Sequence, residues 1–248
     1  MALKRSGIIY HSNWFKTMPS ELNFYSGYGD FKGYQTPDLR KKHIAQFDRE
    51  FWTISGCTSD MSVLEIGCGS GQFLRYLAHK EVRFFRGLDQ DPALGAYIHK
   101  DVVKNFIVSG AFEYFAELGM ADHYNRVVMF DVLEHFSVED GAQLLSTIKS
   151  HLTLDGQIIV RVPNMSSPWG GQYQYGDLTH KAAYTPGSMR QLADSIGLYC
   201  SGVYPQKRGS RSRGLLQKIL QGALNKILVD PPEIWSANFI AVLEIRND

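Results

Sequence analysis

Three groups of residues have the types and spacing that chemistry needs. The first is the run VLEIGCGSGQF, residues 63–73, where Gly67, Gly69 and Gly71 lie between an apolar strand and a helix start. Glycines there let the backbone turn sharply and let a ligand touch the main chain, because no Cβ intervenes. In open α/β sheets this junction is where nucleotides bind. No Lys follows the glycines, so the phosphate loop G-x-x-x-x-G-K-[ST] is excluded, and the third glycine comes too early for G-x-G-x-x-G. Glu65, on the strand itself, would repel phosphate, so the ligand is expected to be cationic or phosphate-free at this loop. Asp89 closes the next strand and can accept hydrogen bonds from ribose hydroxyls.

The second group is Asp131, Glu134 and His135 in the run DVLEH, and the third is His180 in the run YGDLTH. Histidine titrates near neutral pH and suits removal of a proton from a hydroxyl, so His135 and His180 are the candidate general bases. Both are expected beyond the carboxyl ends of strands. His135 can equally be a packing feature. His180 sits in a long loop, the kind that is functional more often than not.

These residues need a scaffold. From residue 60 onward short apolar runs alternate with helically spaced segments. The expected strands are Ser62–Ile66, Arg83–Leu88, Asn105–Val108, Arg126–Phe130 and Gln157–Val162, with two more near Gly202–Tyr204 and Asn238–Ile245. Helical anchors fall at Phe73/Leu74/Leu77, Phe112/Phe115/Leu118 and Leu144/Leu145/Ile148. Such alternation implies an α/β, Rossmann-like, mostly parallel sheet of seven strands with helices on both faces. Thr185-Pro186 reads as an N-cap followed by proline at the first helical position, and Gly197 as the matching stop. Residues 1–58 read as an aromatic lid segment (Tyr25, Tyr28, Tyr34) leading into a helix over 38–51, and residues 59–248 as the ligand-binding domain.

The four runs VLEIGCGSGQF, GLDQD, VVMFDVLEHF and LTLDGQIIVRVPN, in that order, resemble the motif set of class I S-adenosylmethionine-dependent methyltransferases. The resemblance covers roughly residues 60 to 200. It implies that Glu65, Gly67, Cys68, Gly69, Gly71 and Phe73 form the amino-acid end of an S-adenosylmethionine site. Asp89 would hold the ribose, Gln90 would lie beside the adenine, and Gly110, Ala111 and Phe112 would flank it. Asp131 would face the sulfonium. Outside the span of the resemblance, Arg40 can pair with the cofactor carboxylate. The implied activity is methyl transfer, with alignment of the acceptor supplying most of the acceleration.

Asp131, Glu134, His135 and His180 also resemble the set that binds a divalent cation, such as Mg, in ubiquinone-biosynthesis O-methyltransferases and small-RNA 2′-O-methyltransferases. Here Asp stands where those families have Glu. Residues 162–186 resemble bacterial methyltransferases of surface-polysaccharide and glycolipid assembly. Tyr34, Trp169, Tyr173 and Tyr175 are the residue types that stack on sugar faces. The acceptor expected first is a saccharide hydroxyl. A catechol or quinone-precursor hydroxyl comes second, and a non-catalytic cofactor-binding scaffold is the reading from another class.

Composition narrows the partners. The 248-residue chain is 44% apolar with formal net charge +1, which gives no global pull toward nucleic acid. Three cysteines without a CxxC pair suit a reducing compartment, so the cytoplasm is expected. No run approaches the roughly 18 apolar residues of a membrane span. Within an insertion at 206–230, the basic run Lys207, Arg208, Arg211 and Arg213 precedes Leu215, Leu216, Ile219, Leu220, Ala223, Leu224, Ile227 and Leu228, spaced as one apolar helix face. That face is expected against its own domain or a twin subunit in a homodimer. The alternative is peripheral contact of 207–228 with the inner face of an anionic membrane.

Overall fold

A computed structural model describes residues 28–119, 122–209 and 211–246. Tyr25 and the side chains of Tyr28 and Arg211 lie outside the described residues. The strands are β1 (Ser62–Ile66), β2 (Phe84–Asp89), β3 (Phe106–Val108), β4 (Tyr124–Phe130), β5 (Leu152–Pro163), β6 (Leu198–Pro205) and β7 (Asn238–Ile245). They form one sheet in the order β3-β2-β1-β4-β5-β7-β6. The first five are parallel, and β7 runs antiparallel to both β5 and β6. The chain leaves β1 toward β2 on one side and meets β4 on the other. That reversal opens a crevice beyond the carboxyl ends of β1 and β4, where ligands bind in open α/β sheets.

The helices are α1 (Tyr28–Lys32), α2 (Lys41–Phe47), α3 (Thr53–Ser55), α4 (Gln72–His79), α5 (Ala111–Glu117), α6 (Val138–Lys149), α7 (Gly171–Gln174), α8 (Pro186–Ser195) and α9 (Arg211–Ile227). A π-helical turn, Asp48–Trp52, joins α2 to α3. No helix of the described residues is long and apolar enough to cross a membrane.

Side chains alternate along each strand, so the sheet builds two cores. On one face Val127 and Met129 of β4, Ile158 and Val160 of β5, and Phe239 and Ala241 of β7 pack under α5, α6 and α8. On the other, Val128, Phe130, Ile159 and Ile240 meet Phe47, Phe51, Phe73, Tyr76 and Leu77. The start of α8 follows its sequence signal: Thr185 Oγ1 accepts the Ser188 N–H at 3.1 Å and Pro186 opens the helix. Gly197, at φ +70°, ends it.

Two expectations are corrected here. β5 begins at Leu152, five residues before the expected Gln157, because Asp155-Gly156 does not end the strand. Pairing jumps from Tyr124–Leu152 to Arg126–Gln157, and the intervening residues bulge from the ladder. Phe73 belongs to the core and not to a ligand site. It is 2% exposed, edge-on to Phe51 at 4.9 Å and to Phe130 at 5.3 Å. Its period in α4 turns it onto the sheet. Phe73→Ala is therefore expected to cost about 3–5 kcal/mol in urea denaturation, with ligand affinity nearly unchanged in the folded fraction.

Candidate active site

The loop after β1 is shaped by close approach. Gly67 takes φ +70°, and a Cβ there would overlap the side chain of Val132, just past β4. The loop is then fastened to β2. The Gly69 N–H donates to Asp89 Oδ2 at 3.0 Å, and the Asp91 N–H donates to Asp89 Oδ1 at 3.1 Å. Burial raises the Asp89 carboxyl, and the Asp91 and Gly69 amides act in the opposite direction.

A cavity of about 580 Å³ opens over this junction. Among the expected ligand residues, Gly67, Gly69, Asp89, Gln90, Gly110, Ala111 and Asp131 line it. Tyr34 lines it too, with Cε1 at 3.7 Å from the position a Gly69 Cβ would take. Other expected residues stand behind the wall. Glu65 is buried beneath the loop with Oε2 unpartnered, and burial raises its carboxyl well above the usual range despite Arg161. Cys68 turns its side chain into an apolar cluster with Leu74, Ile98 and Val102. Gly71 caps α4 at φ +79°, and Phe112 packs edge-on to Phe136 at 6.2 Å. Arg40 is exposed and pairs with Asp38 at 3.2 Å, away from the cavity.

The other end of the cavity is electrostatic. Asp131 follows β4 at φ +58°, an uncommon conformation for a residue with a side chain. Arg161 of β5 grips both its oxygens, Nε to Oδ1 at 3.0 Å and Nη2 to Oδ2 at 2.5 Å. The same guanidinium donates to Glu50 Oε2 at 2.7 Å. Burial would raise the Asp131 carboxyl, but Arg161 more than offsets this and holds it below the usual range. Sequence reading passed over Arg161 and Glu50. The available signal was a lone cation in the apolar run IIVRV, which burial would force to find acidic partners.

Beyond Asp131 a 3₁₀ turn, Leu133–His135, carries Glu134 inward and His135 onto the cavity wall. The loop after β5 returns His180 against it, with the two rings perpendicular and their centroids 4.6 Å apart. His180 itself is outside the cavity lining, so His135 and not His180 faces the ligand space. Thr179 donates to Asp177 Oδ1 at 2.5 Å, so its hydroxyl oxygen accepts from His135 Nδ1 at 2.9 Å. His180 Nδ1 donates to the Gln174 carbonyl at 2.9 Å. This hydrogen bonding places the lone pair on Nε2 of both rings. Burial, helped by His180, lowers His135 to about 4, and burial lowers His180, so both are neutral at pH 7. Lys32 of α1 fixes the loop through Asp177 at 2.9 Å.

These residues fit a divalent cation on one count. Glu134 is 1% exposed with neither carboxylate oxygen partnered. It, His135 and His180 each offer a ligand atom, all within 4.8 Å of one another. Asp131, expected in this set, is not part of it, because Arg161 occupies its carboxylate. Two imidazoles and one carboxylate suit Mn, Fe or Zn better than Mg, which prefers oxygen.

Of the aromatics expected at the acceptor, Tyr34 lines the cavity and the other three stand outside it. Tyr173 receives a hydrogen bond from Arg208 at 3.0 Å, and Trp169 and Tyr175 are largely exposed on the loop around α7.

The sequence pattern described as a methyltransferase domain matches residues 38–201. The chain belongs to this methyltransferase family. No curated protein matches its sequence significantly. Among solved structures, this methyltransferase superposes on a SAM-dependent methyltransferase from Archaeoglobus fulgidus with TM-score 0.62 and 21% identity, over 89% of this chain and 99% of that one. The plantazolicin methyltransferase BpumL, solved with a triazolic desmethylPZN analog and SAH, gives 0.58 and 21%, over 90% of each chain. Magnesium protoporphyrin IX methyltransferase from Synechocystis PCC 6803, solved with SAM, gives 0.56 and 12%, over 92% of this chain and 100% of that one. At these identities the likeness is one of fold.

Removing the central cation tests the electrostatic end. Arg161→Leu leaves Glu50, 2% exposed, without its counterion, and is expected to cost about 3–5 kcal/mol in urea denaturation. Arg161→Lys, which keeps the charge and loses the planar fork, is expected to fall between it and the wild type.

Proposed function

We propose that this methyltransferase uses S-adenosylmethionine to methylate a hydroxyl of a saccharide in free, nucleotide-linked or lipid-linked form. The nucleoside occupies the cavity, its ribose on Asp89 and its adenine between Gln90 and Ala111, with the methionine portion toward Gly67 and Asp131. Tyr34, over Gly69, acts as a lid on the cofactor domain that follows. The reaction belongs to the cytoplasm, where Cys57, Cys68 and Cys200, all free, stay reduced.

One observation carries the acceptor reading: the loop with Trp169, Tyr173 and Tyr175 also presses His180 onto His135, at the cavity's reactive end. Neutral His135 takes the hydroxyl proton at Nε2, while Thr179 holds its other nitrogen. His180 packs edge-on against the ring and fixes its orientation.

The buried, unpartnered carboxylate of Glu134 favours a second reading, a catechol or other vicinal diol as acceptor. In that case Glu134, His135 and His180 would hold a divalent cation, and the chemistry it would supply is polarisation of the diol and a lower hydroxyl pKa.

The test is release of S-adenosylhomocysteine from purified enzyme over saccharide, catechol and RNA acceptors, after calorimetry with S-adenosylmethionine. Saccharide turnover is expected, unaffected by chelator, and His135→Ala is expected to lower it about 10²–10⁴-fold at unchanged cofactor affinity. Release with catechols alone, abolished by chelator and restored by Mn, sinks the saccharide reading in favour of the diol. Binding without turnover on any acceptor would mean a scaffold. In the metal reading, Glu134→Gln should also lower the metal content measured by mass spectrometry.

A further inference from the structure

We propose that α9 docks the enzyme on an anionic lipid surface. From residue 207 to residue 229 the chain carries six cations, Lys207, Arg208, Arg211, Arg213, Lys218 and Lys226, and no Asp or Glu. Leu215, Leu216, Ile219, Leu220 and Ile227 of α9 are between 56% and 76% exposed. This corrects the expectation that the apolar face packs on its own domain.

The helix is nevertheless seated. Gly214, Gln221 and Leu224, spaced along its other side, are half-buried, and Asn225 Oδ1 accepts from Trp235 Nε1 at 2.9 Å. Anchored on that side, α9 holds its leucine and isoleucine stripe outward. Exposed apolar stripes of this size mark contact surfaces.

Charge decides what makes the contact. A second copy laid face to face would bring Arg213 and Lys226, which flank the stripe, against like charges across a joint with no acidic residue from either helix. Anionic headgroups supply the missing charge, and the lysine stems can lie along the apolar boundary while their ammonium groups reach the phosphates. Arg208, just before α9, hydrogen-bonds Tyr173 of the acceptor loop, whose Trp169, Tyr175 and Leu178 are 53%, 74% and 73% exposed. Trp and Tyr favour the headgroup level of a membrane. On the saccharide reading, on which this last step rests, docking presents the loop to a lipid-linked glycan.

The 248-residue enzyme is sedimented with phosphatidylcholine vesicles, with and without phosphatidylglycerol, at low and raised salt. Co-sedimentation is expected only with the anionic vesicles at low salt. Ile219→Glu with Leu220→Glu should abolish it. Arg213→Glu with Lys226→Glu should weaken it at least about tenfold, since each cation near such a surface adds roughly fivefold. Both variants should bind S-adenosylmethionine as the wild type does, which separates failure of docking from failure of the enzymatic reading. Absence of the wild type from the anionic pellet at low salt overturns the proposal, as does binding by the double glutamate variant Ile219→Glu/Leu220→Glu. A lipid-free dimer that this variant turns into a monomer also overturns it, because a second copy would then cover the stripe.

Discussion

The carboxylate of Asp89 accepts two backbone N–H groups, from Gly69 in the loop after β1 and from Asp91 two residues on. The first bond joins the loop after β1 to the end of β2, and the second fixes the carboxylate on the cavity wall. The loop can take this path only because Gly67 adopts a left-handed turn against Val132, where any Cβ would collide. Sheet order does the rest. The reversal at β1 leaves the loops after β1 and β4 facing each other with no strand between them.

The opposite end obeys a different constraint, the cost of burying charge. Arg161 stands in an otherwise apolar strand and is satisfied by Asp131 and Glu50 together, which ties β5 to the turn after β4 and to the π-helical turn beside α2. With Asp131 so committed, Glu134 keeps an unpartnered carboxylate beside two imidazoles whose Nδ1 atoms are tied to Thr179 and to a carbonyl. Such outer hydrogen bonds orient histidines for proton transfer and for metal binding alike. The two proposed chemistries therefore share one geometry and differ in what binds at it.

Much of this could be read from residue patterns, where local physics dominates. β1 and β7 fall on their expected bounds, as does the start of α8, because periodicity and capping are encoded within a few residues. The glycine loop and Asp89 were legible for the same reason. Partnership across the fold was not. Phe73, next to the glycines in sequence, turns away because helical period and not proximity decides its direction. Asp131 looked like a metal ligand until Arg161, thirty residues later, claimed it. His180 read as the facing base, and the loop instead packs it edge-on against His135, outside the cavity lining. Whether the apolar side of α9 was covered depended on its seating, which a helical wheel does not contain.

The central claim is that the crevice is shaped for a sulfonium nucleoside and not for a pyrophosphate. A crystal soaked with S-adenosylhomocysteine tests it most directly. Density is expected with both ribose hydroxyls on the Asp89 carboxylate and the adenine beside Ala111. A crevice that stays vacant, or that takes up NAD or ATP with phosphates on the glycine loop, would contradict the account.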